Sequence, residues 1–302
     1  MLYNIIREGG IIMGVKILSD SACDLPRELI EEYSIDILPI IVIKDDKEYL
    51  DNVTIKPEEV YSNMRNGEIY KTAQIPPNAF KEKFTEYANN GDNAIYIAFS
   101  SGLSGTYQTS LLVREGILEE YPDFQLDIID SKSATIGFGL IVLEAAKMAK
   151  EGKSKEEIIK KIRFYVDNIE HIFTVDDIEY LFRGGRVSRT QAFLGGLLNI
   201  KPVLHVDDGK LLPLEKVRGK NKVFKTMLDI MEKRAADIVL KEQVIGISHS
   251  DNIEGAMKLK ELISERFGVE KFIINDIGAA IGSHSGPGTL AIFFLRENYK
   301  NN

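Results

Sequence analysis

The stretch Asn93-Ala-Ile-Tyr-Ile-Ala-Phe-Ser-Ser-Gly-Leu-Ser-Gly-Thr-Tyr107 decides how this chain is read. Residues 94–99 are too apolar for a strand with one wet face and read as a strand buried on both sides. From 108 to 120, leucines and charges recur at helical spacing. Between the two, Ser100, Ser101, Ser104 and Thr106 crowd a loop in which Gly102 and Gly105 let the backbone turn closely. Free N–H groups at a helix start beside several hydroxyls suit a small anion, a carboxylate or a phosphate. The same residues would also serve as a helix cap that binds nothing.

Outward from this segment, strands and helices alternate. Strands are expected at 16–19, 35–43 and 125–129. Helices are expected up to Tyr33 with Asp24 as cap, at 56–65, up to Asn89 with Asn78 as cap, and at 136–151. Thr72-Ala-Gln-Ile-Pro-Pro77 reads as extended because of its prolines. This order predicts a parallel-rich α/β domain. A helix over 153–168 with Ser154 as cap leads to a change of texture. Beyond it, short strands at 172–175, 243–248, 271–276 and 290–295 accompany a hairpin turning at Asp207-Asp-Gly-Lys210. Helices fall at 177–182, 222–234 and 253–266, and residues 278–288 read as a glycine-rich loop. The expectation is an N-terminal α/β domain over 14–169 and a C-terminal α/β domain with a mixed sheet over 170–298.

At 302 residues, 44% hydrophobic and 28% charged, the chain has the make-up of a soluble globular protein. Its net charge of −8 argues against a nucleic-acid partner. No apolar stretch approaches the ~20 residues that span a bilayer. The lone Cys23 fits a reducing cytoplasm and reads as a small structural residue. Arg7-Glu-Gly-Gly10 is what a purine-rich ribosome-binding sequence would encode, so Met13 is the expected natural start.

Four segments carry the residues of interest: Thr72-Ala-Gln, Ser101-Gly-Leu-Ser-Gly-Thr-Tyr107, Arg183-Gly-Gly-Arg186 and Gly282-Ser-His-Ser-Gly-Pro-Gly288. An arginine on a glycine turn can aim its planar fork at an anion, or make ordinary surface ion pairs. His284 in a loop would be free to meet a ligand, although an isolated histidine more often has a structural or solvated role. A serine hydrolase using Ser104 and His284 is an alternative, but Thr106 stands where Gly-x-Ser-x-Gly needs its last glycine. No phosphate-binding Gly-x-x-x-x-Gly-Lys loop is present, and His171, His205, His249 and His284 have no zinc spacing with Cys23.

Together with Asp20-Ser-Ala-Cys-Asp-Leu-Pro26 and Asp130-Ser-Lys-Ser133, these segments resemble the DegV family in its own order, over nearly all of residues 15–297. The resemblance implies a two-domain α/β protein that holds a long-chain fatty acid between its domains and needs no cofactor, metal or catalytic residue. It also implies that the protein serves a separate fatty-acid kinase as the acyl-carrying subunit, the acyl phosphate feeding phospholipid synthesis. By motif, Thr72 and Ser104 look like hydroxyl donors to the carboxylate, with Ser101 nearby, His284 beside the headgroup and Arg186 on the inner side of the site. Arg183 is a looser companion, and Arg218 resembles a surface arginine that docks the kinase. Ala73 stands where the family often has serine, which puts one secondary headgroup contact in question. The cluster Lys216, Arg218, Lys220, Lys222 and Lys225 could receive an acidic kinase surface or form a solvated face. Expected partners are the fatty acid, the kinase subunit and a transient membrane surface. Binding another amphipathic acid without a kinase is the further alternative.

Overall fold

The computed structural model describes residues 14–188, 200–235 and 240–299, with short strand pieces at 6–7 and 10–11. The expected start at Met13 and the side chain of Lys220 lie outside the described residues.

Three main sheets organise the chain. The first is wholly parallel, in the order Asp36–Leu38, Val15–Asp20, Asn93–Ala98, Leu126–Asp130. Its central strand Asn93–Ala98 is buried along almost its whole length, which is why its sequence is continuously apolar rather than alternating. A small antiparallel sheet, Lys47–Leu50, Ile41–Lys44, Lys71–Ala73, stands beside it. The third sheet has six strands in the order Lys210–Arg218, Ile200–Asp207, Ile169–Thr174, Leu290–Leu295, Val244–His249, Lys271–Asp276. Only the last pair is parallel, so this sheet is mixed.

The helix Thr135–Lys150 packs against strands of both the parallel and the six-stranded sheet. Ile136, Phe138, Ile141 and Val142 on successive faces are all buried, as a helix between two layers requires. The following helix Lys155–Asn168 opens with the expected cap: Ser154 Oγ accepts from the Glu157 N–H at 3.2 Å, and the Ser154 N–H donates to Glu157 Oε2 at 2.9 Å. The hairpin between Ile200–Asp207 and Lys210–Arg218 turns at Asp208 and Gly209, both with positive φ. Its tip docks on the serine loop, where Ser100 Oγ donates to the Gly209 carbonyl at 2.8 Å.

Four local expectations are corrected. The β-prone run 35–43 divides into Asp36–Leu38 and Ile41–Lys44, in different sheets. Pro39 lacks the N–H that a continuous ladder needs, and the Ile40 N–H donates to Ser21 Oγ instead. Asp24 caps no α-helix: the helix Arg27–Glu32 follows Pro26 without a side-chain cap. Asp24 itself accepts from the Gly278 N–H at 2.9 Å. The helix Pro77–Asn90 likewise begins after Pro76, so Asn78 lies inside it. Most consequentially, residues 278–288 are not a loop but contain the helix Ala279–Ser285. Its glycines serve contact and termination. A Cβ on Gly282 would sit 2.3 Å from the Tyr61 hydroxyl oxygen, and Gly286 ends the helix at φ +77°.

Candidate functional site

A cavity of about 180 Å³ lies where the three sheets meet. The serine loop contributes Phe99, Leu103, Ser104 and Gly105, and the small sheet contributes Thr72, Ala73 and Gln74. The six-stranded sheet supplies a mostly apolar wall that includes Phe173, Val206, Ala291 and Phe293. The helix Ala279–Ser285 closes another side with Ala280, Ile281 and His284.

Thr72 Oγ1 and His284 Nε2 lie 2.6 Å apart on this wall. Burial and the nearby Arg186 guanidinium hold the imidazole of His284 down to about 3, so it is neutral in the physiological range. A neutral imidazole has one N–H and one acceptor nitrogen, and the Thr72–His284 pair therefore has one proton to share and one hydroxyl or N–H to offer outward.

The Arg183-Gly-Gly-Arg186 turn follows the short helix Glu179–Arg183 and presses directly on that ring. A Cβ on Gly184 would stand 2.2 Å from His284 Nδ1, so only glycine allows the approach. Arg186 is held by backbone carbonyls: its Nε and Nη2 donate to Leu103 O at 3.1 and 3.0 Å, and its Nη1 donates to Gly184 O. One guanidinium thus joins the serine loop to the glycine turn while keeping a positive charge on the cavity wall. Burial lowers its pKa, but an arginine stays charged.

Thr72, Ser104, Arg186 and His284, drawn from four separate segments, line one cavity. Ser101 does not. Its Oγ donates to Asp130 Oδ2 at 2.5 Å and its N–H to Asp130 Oδ1 at 3.1 Å, which turns it toward the neighbouring loop. Arg183 stacks over the Tyr180 ring at 4.7 Å and is outside the lining. Arg218 is exposed at the end of Lys210–Arg218, away from the cavity.

Sequence reading did not single out Gln74 as a site residue. Its Nε2 donates to Thr109 Oγ1 at 2.8 Å and its side chain lies against Gly105, tying the Thr72 strand to the helix Thr106–Glu120. Thr135 and His171 also line the cavity, and neither stands in a motif that would mark it.

The same contacts weigh against a serine nucleophile. Ser104 Oγ pairs with Thr106 Oγ1 at 2.9 Å and accepts from the Thr106 N–H at 3.2 Å. His284 Nε2 is paired with Thr72 instead, so the serine–base hydrogen bond that a triad needs is not formed.

Comparison with known proteins agrees with this architecture. The family model described as "Uncharacterised protein, DegV family" matches residues 14–297. A DegV domain-containing protein of Clostridium perfringens is 43% identical over 284 residues, covering 93% of this chain and 97% of its own. Among solved structures, a DegV family protein from Thermus thermophilus described by its fatty-acid binding superposes with a TM-score of 0.84. It is 29% identical and covers 93% of this chain and 99% of its own. A stearic-acid-binding protein from Eubacterium ventriosum gives a TM-score of 0.85 at 26% identity, covering 92% and 97%. Among the described residues no helix is long and apolar enough to cross a membrane, and no group of three or more metal-ligating side chains gathers.

Proposed function

The chain belongs to the DegV family, and from that premise we propose that it binds a long-chain fatty acid and presents the carboxylate to a separate kinase. The observation that carries this reading is the Thr72–His284 pair set into the wall of a largely apolar cavity. An ionised carboxylate leaving water needs several hydrogen bonds to offset its desolvation. Ser104 and the one outward hydroxyl or N–H of the Thr72–His284 pair supply donors, and the half-buried Arg186 charge offsets the negative headgroup. The acyl tail lies along the apolar wall, each buried methylene contributing about 0.8 kcal/mol. Tail length sets affinity, and the polar end sets orientation.

In this role the protein positions and the partner carries out the phosphoryl transfer, in the cytoplasm, with the acyl phosphate passing to phospholipid synthesis. The exposed Lys216, Arg218 and Lys222 form a basic face in an acidic chain and are the expected docking surface for an acidic patch on the kinase. The fatty-acid binding described for the structural neighbours supports this ligand; the kinase partnership rests on the family resemblance.

The test combines the purified chain with palmitate, ATP and the catalytic subunit of a bacterial fatty-acid kinase, trapping acyl phosphate as its hydroxamate. The proposal expects product that depends on this chain and falls at least tenfold with Ser104→Ala or His284→Ala, with the thermal midpoint preserved. Turnover unchanged in both variants would remove the headgroup assignment. Acyl phosphate formed equally well without the chain would remove the carrier role.

A further inference from the structure

The cavity carries more polarity than a carboxylate and a hydrocarbon tail require. A second network, centred on the start of the helix Thr135–Lys150, shares no hydrogen bond with the Thr72–His284 pair. Ser133 Oγ lies 2.6 Å from His171 Nε2, and Ser248 Oγ donates to Thr135 Oγ1 at 3.1 Å. Thr135 and His171 both line the cavity, and both are almost completely buried. Ser248 occupies the proton of its own hydroxyl in this contact, so the Thr135 proton remains to be donated.

Ser285, one turn beyond Ile281 on the helix Ala279–Ser285, lines the same cavity. It is 5% exposed, and its Oγ has no hydrogen-bond partner among the described residues. Buried hydroxyls without partners are uncommon because desolvation is not repaid. Thr135 adds a second irregularity: it holds φ +49°, a left-handed conformation that β-branched residues avoid. Strain of this kind persists where surrounding structure enforces it, often at ligand sites. A plain alkyl chain would offer no partner to the Ser285 hydroxyl and none to the remaining Thr135 proton.

We propose that Ser285 and Thr135 form a second polar station in the cavity, one that recognises an oxygen substituent along the acyl chain. The preferred ligand is then a hydroxy or oxo fatty acid rather than its unsubstituted counterpart. A chain hydroxyl offers one donor and two acceptor sites, enough to accept from Thr135 and exchange a hydrogen bond with Ser285. The inference rests on the fatty-acid reading above and specifies its ligand.

The experiment measures dissociation constants of the full chain for stearate and for stearates hydroxylated at carbon 3, 10 or 12, by competition against a fluorescent fatty acid. The expected result is at least one hydroxystearate bound tenfold or more tightly than stearate. In Ser285→Ala and in Thr135→Val that preference should fall to within about twofold of unity, a loss of roughly 1 kcal/mol or more of discrimination. Stearate binding with no hydroxystearate preferred would overturn the second station and leave the fatty-acid reading standing. A preference that survives both substitutions would overturn the assignment to these residues. No binding of any of the four acids would remove both.

Discussion

The hydroxyl of Thr72 and Nε2 of His284 lie 2.6 Å apart although 212 positions separate them in the chain. Thr72 stands on an edge strand of the small antiparallel sheet, and His284 in the last turn of a seven-residue helix that connects two strands of the six-stranded sheet. The headgroup site therefore exists only when the two halves of the chain are packed together.

Breaking this pair should weaken ligand binding more than it weakens the fold. Hydrogen bonds to a charged group contribute about 1.5–3 kcal/mol, so Thr72→Val or His284→Ala should raise the dissociation constant for palmitate roughly 10- to 100-fold. Titration with palmitate and a thermal melt of each variant measure the two effects separately. Wild-type affinity in both variants would place the carboxylate elsewhere.

The protonation of His284 and His171 yields a spectroscopic prediction. Burial lowers both imidazoles to about 3, with the Arg186 charge adding to the effect at His284 and His205 at His171. Their ring-proton NMR signals should stay fixed between pH 5 and 8, whereas an ordinary histidine titrates near 6.5. A midpoint near 6.5 for His284 would mean that the site is open to water.

The carboxyl groups beneath the site carry the opposite sign. Burial pushes Asp20 up to about 7 and Asp51 up to about 6. Both retain a proton in the folded chain at pH values where the unfolded chain has released it. Their contribution to stability is thus fully present below the unfolded value of 3.8 and is lost as pH rises through 6 and 7. Asp20 accepts from the Phe99 N–H at 2.8 Å and from the Tyr96 hydroxyl at 3.0 Å, at the base of the serine loop. Asp20→Asn should gain stability relative to the native chain between pH 5 and 8, by up to a few kcal/mol, on the order set by 1.36 kcal/mol per pKa unit. Thermal midpoints across that range check the trend; a constant difference would show that Asp20 does not titrate there.

Gly282→Ala tests how closely the His284 helix is seated. The added methyl would fall 2.3 Å from the Tyr61 oxygen and 2.7 Å from Tyr61 Cε1. Tyr61 donates to the Ile277 carbonyl just before the helix, so it cannot yield without losing that bond. Overpacking of this kind costs about 1–3 kcal/mol and should lower both the thermal midpoint and palmitate affinity. An unchanged midpoint would show that the contact is slack.

Much of the architecture was legible because local chemistry and tertiary context agree. The Ser154–Glu157 capping box, the Asp207-Asp-Gly-Lys210 hairpin and the buried strand Asn93–Ala98 all appear where their residues announce them. The misreadings share a cause: their residues answer to partners distant in sequence. Gly278, Gly282 and Gly286 suggest a loop when read in sequence alone. In the fold, Gly278 meets Asp24, Gly282 meets Tyr61 and Gly286 meets Tyr180, and a helix forms between them. Ser101 belongs to the same motif as Ser104, yet Asp130, 29 residues away, draws it from the cavity. Ser285 could not be distinguished beforehand, since a buried hydroxyl without a partner is visible only in three dimensions, and the left-handed φ of Thr135 likewise shows only in the fold.

The most direct test of the central claim is native mass spectrometry of the chain purified from a bacterial host, followed by extraction and identification of what it carries. The account predicts one long-chain fatty acid per chain, lost or sharply reduced in a Thr72→Val, His284→Ala double variant that remains folded. A clean ligand-free mass, with no uptake of palmitate, stearate or hydroxystearate on subsequent titration, would contradict it.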